Sequence, residues 1–184
     1  MKRILFSLTI LIAASSCSKE EENPFLISKG TIGKLTKDTT VAELDAIFAN
    51  DSLVKRIGEG DYAQAGSDMY IVYEKGGKRL FSLVPKEQHD PDETIADIQI
   101  FDGRFTSVKG IGLKSTFKDI TENHKIDKIE NTLRNVVIFV NELDAYFTID
   151  KKELPADLRY DSTVKIEATQ IPDDAEIKFF MISW

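Results

Sequence analysis

One cysteine and two histidines stand among 184 residues, and each scarcity closes a class of chemistry. A lone thiol excludes internal disulfides and any site built on several thiolates, so the fold depends on its core rather than on covalent staples or a structural zinc. His89 and His124 lie far apart in sequence and form no His-rich metal motif. The patterns GxGxxG, GxxxxGK[ST] and GxSxG are missing, so no nucleotide cradle and no nucleophile elbow is visible, and no cofactor is expected. No apolar run reaches the roughly 20 residues that span a bilayer. Basic stretches interleaved with aromatics are lacking too, and the formal net charge is −7. Such a chain repels phosphate backbones, which argues against nucleic-acid binding.

The cysteine has an unusual setting, "LIAASSCSKEEENP". Lys2 and Arg3 give a basic start, residues 4–14 are mostly apolar, and Ala14, Ser15 and Ser16 are the small residues a signal peptidase requires. The apolar stretch makes about 16 Å of helix, half the hydrocarbon thickness, so it is a secretory signal and not an anchor. Because the small residues abut Cys17, the stretch resembles a bacterial lipobox, which implies that Cys17 is lipidated and becomes the first residue of the mature chain. Ala14 stands where such boxes usually carry Leu. Removing Lys2 and Arg3 with residues 1–16 takes the charge from −7 to −9. Residues 17–27 then read as a lipidated cysteine and acidic, proline-stopped tether. Ser18 looks like the outer-membrane-directed form, and the acidic run resembles a surface-export signal, so the expected location is the outer membrane, facing either the cell surface or the periplasm.

Residues 28–184 are long enough for one domain with its own core. Thr40 and Glu43 fit a capping box ahead of Leu44, Ile47 and Phe48 on one helical face, predicting a helix over about 41–49. "MYIVYE" and "RLFSLV" flank Gly76 and Gly77 as a hairpin, and "TIADIQIF" alternates as a third strand. At an offset of 76, Thr116 to Ile120 repeat the capped start of Thr40 to Leu44. Then come "NVVIFV", a turn at Asn141 and Glu142, "AYFTI", and strands predicted over 163–170 and 176–184. The expectation is an α+β domain of two similar helix-plus-antiparallel-strand half-copies, about 31–105 and 108–184, sharing one sheet with both helices on one face.

From about residue 27 to the end, "ISKGTIGKLTKDTTV", "IADIQIFD", "GIGLKSTFKDI" and the closing "MISW" resemble the uncharacterised lipoprotein family catalogued as domain of unknown function 1131. The resemblance implies an α+β envelope lipoprotein with no assigned activity and carries over no functional residue. More loosely, the duplicated layout is similar to the tandem repeats of β-lactamase-inhibitor-like and small outer-membrane assembly lipoproteins, which act by binding proteins.

Candidate chemistry is sparse. The stretch Lys86 to Glu93 gathers His89, Asp90, Asp92 and Glu93 in a loop whose oxygens could hold a hard divalent ion, but it lacks the glycine of an EF-hand, and a proline-broken charged loop is usually just solvated, so no metal is expected and these four are weak candidates. His124 occupies the place of Phe48 in the first half-copy, as a packing histidine would. With 31 acids, paired carboxylates for hydrolysis cannot be singled out. Strand aromatics fall on both faces of "AYF" and "KFFM", so one set faces the core and the other is either covered by loops or forms an exposed patch that binds an envelope protein or glycan without turnover. The alternatives are an envelope hydrolase and a small-ligand or metal carrier.

Overall fold

The structure, a computed structural model, describes residues 23–56 and 68–184. Among these residues, β-branched and aromatic runs form twelve strands: β1 (Leu26–Ser28), β2 (Thr31–Ile32), β3 (Leu35–Thr36), β4 (Ser52–Arg56), β5 (Met69–Tyr73), β6 (Arg79–Pro85), β7 (Ile95–Ile100), β8 (Thr106–Ser107), β9 (Lys128–Asn131), β10 (Asn135–Val140), β11 (Ala145–Asp150) and β12 (Ile177–Ser183). Two α-helices accompany them, α1 (Leu44–Ile47) and α2 (Phe117–Asn123).

Eight strands make one antiparallel sheet in the order β4-β5-β6-β7-β12-β11-β10-β9. Gly76 and Gly77 close the β5–β6 hairpin with φ of +114° and +90°, which side chains resist. The order reads the same from either end about the β7–β12 pair. In that pair Ile98 faces Ile182, Gln99 faces Met181 and Ile100 faces Phe180, so a pseudo-two-fold axis passes between Gln99 and Met181. The axis matches Leu83 with Phe147 and Tyr70 with Ile138, which occupy equivalent registers. It also matches the helix entries. Val41 and Ala42 N–H donate to the carbonyls of Glu93 and Pro91, and Phe117 and Lys118 N–H donate to those of Ala175 and Asp173.

Period-two alternation decides which face is core. One row across all eight strands runs Leu53, Val72, Phe81, Ile100, Phe180, Phe147, Ile138, Ile129, without a polar residue. Its six central members are at most 2% exposed. Burial of such side chains contributes roughly 1.5–3 kcal/mol each, so this row fixes the register. A second sheet of four short strands, β3-β2-β1-β8, adds Ile27, Ile32 and Leu35 to the same continuous core. Within it β1 runs antiparallel to β2 and parallel to β8, placing Ile27 opposite Ser107.

The α+β class expected from the sequence, with helices covering one face of the sheet, is incorrect: the protein is mostly β. The expected helix over 41–49 is a 3-10 turn (Val41–Glu43) leading into the four residues of α1, and α2 has seven. The capping boxes form in both cases, with Glu43 and Asp119 accepting from the backbone of Thr40 and Thr116. A good cap starts a helix but does not lengthen it, and elements this short cannot roof eight strands. The small sheet contributes to the core beside the helices. The strand expected over 163–170 is also absent. Its place holds a loop and a 3-10 turn (Ala168–Gln170), where Gln170 Oε1 accepts from the Glu167 N–H and the Asn131 amide donates to the carbonyls of Asp161 and Val164.

Candidate functional site

The residues singled out for a metal do not converge. His89, at φ +61°, donates its backbone N–H to Asp68 Oδ2 at 2.9 Å, and its Nδ1 lies 3.1 Å from the same oxygen. Asp90 Oδ1 accepts from the Asp92 N–H, and Glu93 Oε1 accepts from the Thr94 N–H. These acids turn back onto their own loop, as short polar side chains in turns do. Among the described residues no three His, Cys, Asp or Glu side chains are grouped to hold a metal ion. Cys17 lies outside the described residues.

Among the described residues, the six carboxylates whose acidity the fold resolvably changes, Glu43, Glu74, Asp102, Glu142, Asp150 and Asp161, are all made more acidic. A glycosidase-type general acid requires the opposite, a carboxyl held protonated.

The face of the large sheet turned away from the core is polarised along its length. Its row starts at Val54, Ile71 and Ser82 and continues through Gln99, Met181, Tyr146 and Phe139 to Lys128. Ile71 and Ser82 are buried, whereas Gln99, Met181, Tyr146 and Phe139 are half-buried, and neighbouring Phe179 is 38% exposed. The Phe139 and Tyr146 rings lie 5.7 Å apart. Lys178 sits over Phe179 and reaches Asp150 Oδ2 at 2.9 Å and Asn135 Oδ1 at 3.2 Å, while Lys128 lies over Phe139 and pairs with Glu130. Burial and the charge of Asp97 push the Tyr146 hydroxyl above the usual phenol range. The outcome is an apolar, aromatic surface rimmed by lysines whose ammonium groups are already paired.

A second arrangement has no motif in the sequence. The pseudo-axis matches Val72 with Val140, and two residues further on Glu74 with Glu142; each acid thus leaves the same end of its hairpin. In the first half, Arg104 grips Glu74 with both terminal nitrogens at 2.9 and 2.8 Å and lies over the Phe25 ring. Phe25, Phe105, Phe81 and Phe48 pack edge to face beside it. In the second half, the counterpart of Phe48 is His124, which ends α2 and is buried. Its Nδ1 makes a close hydrogen bond with Glu142, and its Nε2 lies 3.4 Å from Ser107 Oγ. The bond to His124 is the main reason Glu142 stays below the usual carboxylate range; burial opposes it and Lys109 assists. His124 is therefore no simple packing residue, since hydroxyl, imidazole and carboxylate stand in series. Residues 17 and 18 positions apart, with no signature between them, gave no motif to recognise. The polar-for-apolar exchange of Phe48 by His124 was the available signal.

No family model matches the chain, and no curated protein matches it. Among solved structures, the crystal structure of the uncharacterized protein yfeY from Escherichia coli is similar: 12% identity, 88% of this chain and 100% of that chain covered, and a TM-score of 0.54. At that identity the likeness concerns the fold alone.

Proposed function

We propose that this chain is an outer-membrane lipoprotein, tethered by a lipid on Cys17, whose outer sheet face binds another envelope protein without turnover there. The observation that carries the reading is the half-open patch in which Phe139, Tyr146, Phe179 and Met181 lie side by side on the outer sheet face. Aromatic residues and Met are the residues enriched in protein interfaces. Lys128 and Lys178 are engaged by Glu130 and Asp150, so rings and thioether rather than free charges dominate the patch, which favours a protein over a glycan. The basic start, apolar run and small residues before Cys17 support the anchor, as does the resemblance to an envelope lipoprotein family. Attachment would hold the patch at a fixed distance from the membrane through the acidic tether.

The test is in-cell crosslinking and co-purification with the full-length protein, Cys17→Ala, and the double variant Phe139→Ala plus Phe179→Ala. A stoichiometric protein partner should be recovered with the full-length chain, and its recovery should fall by about tenfold or more with the double variant, which removes two aromatic contacts worth about 1 kcal/mol each or more. Cys17→Ala should leave the membrane fraction. Partner recovery that is equal with and without both rings would reject the surface, and recovery of polysaccharide instead of protein would reject the partner class.

A further inference from the structure

The cavity beside the end of α2 measures about 220 Å³ and is walled by Ile27, Val108 and Leu143 around Ser107, His124 and Glu142. Ser107 is held rigidly there. Its backbone N–H donates to the Ile111 carbonyl at 2.8 Å, and its carbonyl accepts from the Gly110 N–H at 2.8 Å. Its Oγ accepts from the Ile111 N–H at 3.2 Å, so the hydroxyl proton is left to point elsewhere, and the acceptor in reach is His124 Nε2. Glu142, an acceptor when ionised, faces Nδ1, which assigns the imidazole proton to that nitrogen and leaves Nε2 free to receive one. A separation of 3.4 Å is long for a working hydroxyl–imidazole pair, and such pairs commonly tighten only when substrate is bound.

The other half of the molecule shows that packing alone does not demand these groups. The lysine–glycine steps Lys29-Gly30 and Lys109-Gly110 align Ile27 with Ser107, and the two helix ends align Phe48 with His124. Both apolar counterparts are buried in the same core. Only one half carries the hydroxyl and the imidazole, and only there does the hairpin-end glutamate meet an imidazole rather than an arginine.

We propose that Ser107 is a nucleophile toward short-chain carboxylic esters, with His124 as its general base and Glu142 as the residue that positions the imidazole. This goes beyond the binding surface and does not rest on it. As Ser107 Oγ bonds to the ester carbonyl carbon, its proton passes to His124 Nε2. The bond between that carbon and the alcohol oxygen then breaks, and the departing alcohol takes the proton from Nε2. Water reverses the sequence: it gives a proton to Nε2 and attacks the acyl carbon, Ser107 Oγ leaves and recovers the proton, and the carboxylic acid is released. The Ile111 N–H donates to Oγ at 3.2 Å and fixes the hydroxyl oxygen beside the cavity. At about 220 Å³, below the 300 Å³ or so typical of drug-sized ligands, the open cavity suits a short acyl group such as acetyl or propionyl.

The test treats the full-length protein in detergent with a fluorophosphonate probe, locates the adduct by peptide mass spectrometry, and follows p-nitrophenyl acetate hydrolysis in parallel. Ser107 should carry the adduct, and Ser107→Ala should abolish it and reduce ester hydrolysis to the buffer rate. His124→Phe, which installs the residue of the other half, should slow labelling by about 100-fold or more, as loss of a general base does, while thermal unfolding stays close to wild type. Glu142→Gln should slow labelling about tenfold or more and Glu142→Asp should recover part of it, which a purely structural role for the acid does not explain. An unmodified Ser107 in the wild type, or labelling undiminished in His124→Phe, overturns the proposal. If His124→Phe fails to fold, wild-type labelling of Ser107 and the Glu142 pair decide it.

Discussion

Replacing Asp102 by Asn isolates a single buried charge. Asp102 is 1% exposed, directly beyond β7, and both its oxygens are saturated. Oδ1 accepts from Lys78 Nζ and the Arg104 N–H, each at 3.0 Å, and Oδ2 accepts from Arg104 Nε at 2.8 Å and from its Nη2. Burial works to raise its pKa, but the hydrogen bonds from Arg104 and Lys78 prevail and lower it from 3.8 to about 2. At about 1.4 kcal/mol per tenfold change in proton affinity, that difference represents about 2 kcal/mol of stability. Hydrogen bonds to charged groups contribute about 1.5–3 kcal/mol, an independent figure of the same size. Because the folded pKa is depressed, the contribution is complete above the unfolded value of 3.8 and is lost as pH falls through about 2. Asp102→Asn should thus cost about 2–3 kcal/mol at pH 7, or about 5–10 °C in Tm for a chain of this size, and the deficit should close between roughly pH 4 and pH 2. Urea unfolding of the chain lacking residues 1–17, followed by fluorescence of Trp184, measures it at each pH. A deficit under about 1 kcal/mol at pH 7, or one equally large at pH 2, refutes the reasoning.

Two further substitutions test the packing. Gly33 adopts φ +52° and an added Cβ would stand 2.2 Å from the Pro24 carbonyl oxygen, so Gly33→Ala should cost about 2 kcal/mol or more in urea unfolding; Gly77→Ala, at φ +90° with nothing within 4 Å, should cost about 1–2. Phe147, fully buried and stacked on Phe180 at 4.7 Å, should lose about 3–5 kcal/mol on change to Ala, whereas Phe179→Ala on the outer face should lose about 1 or less; equal losses would mean that the faces are assigned wrongly.

The strands that were legible in the sequence are those long enough to show period two. "MYIVYE" and "RLFSLV" around two glycines correspond to β5 and β6, "TIADIQIF" to β7, and "AYFTI" to β11. Strands of two or three residues, such as β2, β3 and β8, contain too little alternation to register, and the second sheet they form went unseen. The capped starts at Thr40 and Thr116 lead into short helices because caps are local while helix length is set by packing. "TVKIEATQ" alternates convincingly, yet of its residues only Ile166 is buried, and the carbonyls of Asp161 and Val164 beside it are taken by the Asn131 side chain instead of a neighbouring strand. Of the candidate sites, the loop from His89 to Glu93 had the composition of a metal site without its convergence. Ser107, His124 and Glu142 had the convergence without a recognisable spacing.

The two pseudo-symmetric halves of the large sheet surround the same glutamate position with different partners. Glu74 and Glu142 leave equivalent strand ends, and an acid in that position needs a partner once part of its surroundings is apolar. In the first half the partner is Arg104, which joins Glu74 to the buried Asp102 and lies over Phe25; the cation is permanent, so the link is a clamp. In the second half the partner is His124, an imidazole held to Glu142 through Nδ1 and facing Ser107 Oγ through Nε2. The hairpins, the helix caps and the anchoring of each helix start by two backbone hydrogen bonds are otherwise shared. Across the pseudo-axis the two corners thus differ in three places: Ser107 stands where the first half has Ile27, His124 where it has Phe48, and the glutamate meets an imidazole where it meets Arg104 in the first half.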